Sequence, residues 1–244
     1  MRNLFLMAGF EFRAMRIYWF QLLIAGIVMP LALMVTILLA QSGSGERLPF
    51  LLTGFIASSI ASTFLNILAL RVVNIMQPDV LELYAALGFS RRDMVASFAI
   101  FYSMFLLPQT IVASVLALHW AGNPGMVAFP VAIVGCALFM GVLAITLGLR
   151  VRNYFHAMGI FPCLSWAMIM LSPAYYPMSS LPVALQALMW LNPLTHCLNI
   201  AHHYIGCPDN IPVSLSVLLL SVSFCFMAAR MRASLLKTYI LENI

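Results

Sequence analysis

SPAYYPMSSLPVALQALMWLNPLTH, residues 172–196, holds four prolines and no charged side chain. It is too apolar for a loop in water and too broken by proline for one membrane span. The rest of the chain decides where it sits. Of 244 residues, 64% are apolar and 8% charged, against about 25% charged in a soluble globular chain. So few charges cannot cover a water-facing surface, and the composition indicates an all-α integral membrane protein. The length allows about six spans of ~20 residues with short connections. No room remains for a second soluble domain. The whole of 1–244 reads as one transmembrane domain.

Apolar runs place the spans near 17–40, 49–71, 94–118, 126–149, 155–171 and 211–229. The basic residues orient them, because cytoplasmic loops are enriched in Lys and Arg. Arg2, Arg13 and Arg16 precede the first span. Arg71, Arg91 and Arg92 follow the second, Arg150 and Arg152 the fourth, and Arg230, Arg232 and Lys237 the sixth. Eleven of the twelve basic residues thus share one side, with Arg47 alone on the other. Both termini are therefore expected in the cytoplasm, with the chain multi-pass in the cell membrane and 230–244 forming a cytoplasmic tail.

Residues 172–210 then begin and end on the outer side with a single charge, Asp209. Such a segment suits a pair of short helices that dip into the outer leaflet and return. Pro182 fits the first turn of one helix and Pro193 the break after it. A re-entrant backbone must be buried in protein or line a wet cavity. An amphipathic hairpin lying on the outer surface is the alternative.

On the opposite side, 77–93 reads QPDVLELYAALGFSRRD. Pro78 suits a first helical turn, Asp79 and Glu82 its positive end, and Gly88 its termination. Val80, Leu81, Tyr84 and Leu87 form one apolar stripe. The helix either rests on the lipid surface or docks a cytoplasmic partner. Residues 1–16 suit an interfacial helix, with Leu4, Ala8, Phe12 and Met15 opposite the arginines.

Gly54, Ser58, Ser62 and Asn66 recur every four residues in the second span. Small residues so spaced let helices approach closely, and Ser58, Ser62 and Asn66 are also candidates for a pathway or dimer seam. Gln21, Gln109 and Thr110 are candidates for buried local hydrogen bonding. His196, Cys197, His202, His203 and Cys207 cluster late in the outer segment, but their spacing matches no standard zinc site. They read as polar residues near the outer headgroups, with a Cys197–Cys207 disulfide as another possibility. Tyr175, Tyr176 and Trp190 suit an outer aromatic belt. Cys136, Cys163 and Cys225 suit small apolar packing positions.

Some chemistry is missing. There is no GxxxxGK[ST] motif, and the only lysine is Lys237, so this chain has no P-loop for a nucleotide. Apart from Arg71 and Arg150 at span ends, no Asp, Glu, Lys or Arg falls inside an expected span. That argues against proton coupling, which relies on intramembrane titratable groups. Basic residues placed this way orient the chain and do not suggest nucleic acid.

Together, the six-span topology, VLELYAALGFSRRDMVAS and the opening stretch resemble the membrane subunit of type-2 ABC exporters. In the outer stretch the matching residues are Pro177, Leu181, Pro182, Leu191, Asn192, Pro193, Leu194 and Thr195. In the inner stretch they are Glu82, Leu83 and the pair Arg91–Arg92. Where members carry a Glu- and Arg-rich run before this helix, the chain has VVNIMQPD. The resemblance implies a non-catalytic permease with a coupling helix over 78–92, where Asp79, Glu82, Tyr84, Arg91 and Arg92 would meet an ABC ATPase subunit. ATP and magnesium would sit on that partner and no cofactor or metal on this chain. A second permease copy or a related chain would complete the pathway, surrounded by membrane lipids. Tyr175, Tyr176, Pro177, Pro182, Asn192 and Pro193 would form the outer gate, and an amphiphilic drug, peptide, lipid or lipid-linked glycan would be exported. Two other readings use the outer histidines and cysteines: an intramembrane enzyme, or a permease for haem or metal complexes.

Overall fold

The computed structural model describes residues 9, 12–13, 32, 34–36, 48–122, 127–207 and 211–241. Most of the expected interfacial helix 1–16 and first span 17–40, and Asp209, lie outside these residues. Among the described residues the regular structure is entirely helical. Helix α1 runs Leu48–Ile75 and contains a π-helical stretch, Thr63–Leu68. It is followed by α2 (Pro78–Ala86) and α3 (Arg91–Trp120). Then come α4 (Ala128–Gly148) and α5 (Tyr154–Met170). The last three are α6 (Val183–Trp190), α7 (Pro193–Tyr204) and α8 (Val213–Leu241).

Four of these, α1, α3, α4 and α8, are long and apolar enough to cross a membrane. Helix α5 has 17 residues. At 1.5 Å per residue it spans about 25 Å, short of a hydrocarbon core of about 30 Å. Two boundaries differ from expectation. Helix α1 continues past Arg71 and stops only where Pro78 restricts the residue before it. Helix α8 continues through the expected tail, because no Gly or Pro interrupts residues 213–241 and Ala, Arg, Met, Leu and Lys all favour helix.

Helix α1 is the interior element. Leu52, Ile56, Ile60, Leu65 and Leu68 are fully buried, and it packs against α3, α4, α5 and α7. Met104, Ile111 and Val115 on α3, Val131, Val134 and Leu138 on α4, and Leu218 and Val222 on α8 are exposed instead, as suits lipid-facing surfaces. Apolar burial gains little between helices in lipid, so close backbone approach carries much of the association. At Gly148 a Cβ would come 2.8 Å from the Ala69 carbonyl oxygen and 2.9 Å from Val72 Cβ, so α4 and α1 nearly touch there.

Candidate functional site

The candidate residues collect at the two ends of the bundle. At one end, Pro78 is the first residue of α2 and Asp79 lies in its first turn. Ala86 ends the helix, and Gly88 turns the chain in the left-handed region at φ 75°, which glycine adopts without strain. The Phe89 N–H reaches back to the Tyr84 carbonyl at 3.2 Å. Ser90 then caps α3: its hydroxyl accepts the Asp93 N–H at 3.2 Å and donates to Asp93 Oδ2 at 2.8 Å, a reciprocal cap.

Val80 and Leu81 are half-buried, and Tyr84 is buried. Leu87, expected on that stripe, is 52% exposed: it follows the last helical residue, where the chain turns away at Gly88. Leu83 is 62% exposed, and Asp79 and Glu82 are exposed beside it. The inner edge of α2 is anchored. Arg71 Nη2 of α1 donates to Tyr84 Oη at 3.4 Å, and the same guanidinium lies 5.1 Å from the Phe98 ring centroid of α3, a cation–π distance. Gln77 Nε2 donates to the Val73 carbonyl at 3.2 Å and to the Arg152 carbonyl at 3.0 Å, joining the end of α1 to the α4–α5 connection. Arg91 and Arg92 open α3, and their side chains lie outside the described residues. Arg71 carries this arrangement, yet sequence reading assigned it only to the end of a span.

At the other end, the turn after α5 lies against α1. Ser172, Pro173 and Ala174 are buried, and a Cβ on Gly54 would overlap the Ala174 carbonyl. Half-buried Tyr175 lies beside Ser58, whose buried hydroxyl has no hydrogen-bond partner among the described residues. Burial raises the Tyr175 and Tyr176 phenols above their ordinary value; both stay neutral at physiological pH. Tyr176 Oη donates to the Met170 carbonyl. Ser62 and Asn66 are half-buried, and Asn66 Nδ2 donates to Ser62 Oγ at 3.0 Å.

Pro177 precedes a short 3-10 turn, Met178–Ser180, and Pro182 caps α6; both prolines are exposed. Pro193 is the first residue of α7 as well as the break after α6. Buried Asn192 joins three elements. Its Nδ2 donates to the Met168 and Leu171 carbonyls at 2.6 and 2.7 Å, and its Oδ1 accepts the Leu194 N–H at 3.0 Å. It thereby caps α7 while satisfying carbonyls at the end of α5, which a helix terminus leaves without partners. Asn192→Ala removes a cap worth about 1 kcal/mol and two hydrogen bonds of about 1 kcal/mol each. The expected loss is roughly 2–4 kcal/mol, read from the unfolding midpoint of the purified chain. Asn192→Asp keeps the cap but loses both donations, so it recovers only the smaller part.

The histidines and cysteines do not share one site. His196 and His202, expected near the headgroups, are buried. His196 Nε2 lies 2.9 Å from the Trp190 carbonyl and Nδ1 3.1 Å from Ser216 Oγ. A carbonyl only accepts, so Nε2 carries the proton and Nδ1 accepts from the serine. Ser216 in turn accepts from Asn199 Nδ2 at 2.8 Å, which also donates to the Ile211 carbonyl at 3.1 Å. This chain ties α7 to α8. His202 stacks on Phe50 with centroids 4.2 Å apart, whereas His203 is exposed. Cys197 and Cys207 are both free thiols, and Cys197 lies beside Cys136 of α4, the two bordering one cavity. Cys163 and Cys225 are exposed and face outward. Gln109 is buried, but its Oε1 has no hydrogen-bond partner among the described residues. Also among the described residues, no three His, Cys, Asp or Glu side chains converge as metal ligands would.

Residues 2–205 match the family model described as ABC-2 type transporter. No curated protein matches the chain.

Proposed function

Because the chain belongs to the ABC-2 type transporter family as a multi-pass permease subunit, we propose that it exports an amphiphilic substrate under power from a separate ABC ATPase docked on α2. The observation that carries this reading is the division of α2. Its inner edge is tied through Tyr84 and Arg71 to α1 and, through the Arg71–Phe98 contact, to α3. Its outer edge presents Asp79 and Glu82 beside the exposed Leu83 and Leu87. A partner seated there meets both charge and apolar surface, and its movement reaches the bundle through the Arg71 guanidinium and the inward packing of Val80 and Leu81. Arg91 and Arg92 would flank the same surface. ATP and magnesium belong to the partner.

In this reading both termini and α2 face the cytoplasm of a cell membrane, and 172–210 faces outward. The short α5 and the burial of α7 against α1, α4 and α8 support a re-entrant α6–α7 pair. Tyr175, Tyr176, Pro177, Pro182, Asn192 and Pro193 would form the outer gate. Ser58, Ser62 and Asn66 would line the seam with a second permease chain, either a copy or a relative. The substrate would be a drug, peptide, lipid or lipid-linked glycan.

Proximity labelling tests the docking. A photo-crosslinker attached at Leu83→Cys, in membranes of the native host, is expected to join the chain to a P-loop ATPase. The same reagent at Ser179→Cys should not. A Leu83 adduct with lipid alone would place α2 on the membrane surface and remove the docking role.

A further inference from the structure

Beside the contact between helices α4 and α8 lie two largely apolar cavities. One, of about 450 Å³, is lined by Gly135, Cys136 and Phe139 of α4, Cys197 of α7, and Leu220 and Phe224 of α8. The second, of about 430 Å³, is lined by Phe139 and Leu143 of α4, Pro193 of α7, and Leu220, Ser223 and Met227 of α8. Phe139 and Leu220 border both, so the two cavities adjoin. Gly135, Phe139 and Leu143 follow one another along α4 as Val217, Leu220 and Met227 do along α8. The two helices are therefore parallel, and the cavities form one channel running toward their C-terminal ends.

Cations stand at that end. Arg230 lies three residues beyond Met227, and Arg150 seven beyond Leu143. At 1.5 Å per residue these are about 5 and about 10 Å past the last lining residues. Both are exposed, as are Arg152 and Arg232. Arg230 lies 4.8 Å from the ring centroid of Phe226, which itself borders the second cavity. No carboxylate occurs anywhere in residues 94–208 or 210–241. An apolar channel of this volume suits an acyl chain. A set of exposed arginines at its mouth suits a phosphate, since basic pockets between spans bind anionic lipid headgroups and arginine pairs well with phosphate oxygens.

We infer that the α4–α8 groove is a binding site for one anionic phospholipid, with an acyl chain in the channel and its phosphate on Arg230 and Arg150. The site is independent of the ATPase assignment, because it does not involve α2; of the proposed outer-gate residues it shares Pro193. Its ligand comes from the leaflet bordering the C-terminal ends of α4 and α8. The lipid fills the groove left between two helices that pack on each other directly and also through α7.

Native mass spectrometry of the purified full chain tests this, with palmitoyl-oleoyl phosphatidylglycerol and phosphatidylcholine as competing probes. An arginine near an anionic lipid strengthens attraction about fivefold, so two give roughly thirtyfold preference for the glycerol lipid. Arg150→Gln with Arg230→Gln should bring retention to the phosphatidylcholine level, while the paired lysine variant keeps most of the preference. Ser223→Phe, which fills the second cavity, should reduce retention of both lipids. Equal retention of the two lipids by the unaltered chain overturns the headgroup site, and needs no variant. Full preference in the double glutamine variant overturns the arginine assignment. Unchanged retention by Ser223→Phe overturns the channel.

Discussion

Gly54→Ala is expected to destabilise the protein by about 3 kcal/mol or more, the upper part of the range for overfilling a packed interior. The added Cβ overlaps the carbonyl of Ala174. That atom is backbone, held in the buried Ser172–Ala174 turn, and cannot swing aside as a side-chain tip would. Relief requires the turn to move off α1, which also moves Tyr175 and the α5 end that Asn192 holds. For a chain of this size 1 kcal/mol shifts the midpoint by about 2–4 °C, so the fall is roughly 6–12 °C. Ser58→Ala, one turn along the same face, removes only a hydroxyl that has no hydrogen-bond partner among the described residues, and should change stability by less than about 1 kcal/mol. Thermal unfolding of the purified chain measures both. Equal midpoints for the two variants would show that the turn is not seated on Gly54.

The second large effect concerns function. Glu82→Arg is expected to leave the fold unchanged and to abolish productive coupling. Glu82 is exposed, so the substitution disturbs no packing. A partner that meets Asp79 and Glu82 presents cations, and like charges brought together across an interface cost several kcal/mol. Since about 1.4 kcal/mol is tenfold in affinity, transport should fall by at least about tenfold with an unaltered unfolding midpoint. Any ATP hydrolysis that remains should no longer drive transport. Asp79→Asn, which removes a charge without reversing it, should show a smaller loss. Normal transport by the Glu82→Arg chain would move the docking surface elsewhere.

What could be read in advance follows from the range of the signals. Pro78, Gly88, Pro182 and Pro193 act on the backbone at their own positions, so the limits of α2, α6 and α7 were legible in the residues themselves. The Gly54–Asn66 repeat announced close approach on α1. It did not say that the approaching chain is the Ala174 turn, 120 residues away. His196 looked like an interfacial residue because its partner, Ser216, lies on another helix. Arg71 looked like an ordinary orienting charge until α2 and α3 were placed around it. Leu87 fitted the apolar stripe by periodicity, and periodicity ends with the helix. Local punctuation was readable, whereas contacts made by folding the chain back on itself had no local mark.

The central claim is that an ABC ATPase on another chain drives this permease. The most direct measurement is to tag this chain, express it in its own host, purify it gently, identify what accompanies it and assay ATP hydrolysis. The account predicts a stoichiometric P-loop subunit with hydrolysis, reduced when Glu82 is replaced by arginine. A chain that purifies alone, without hydrolysis and without an ATPase in the membrane fraction, would contradict it.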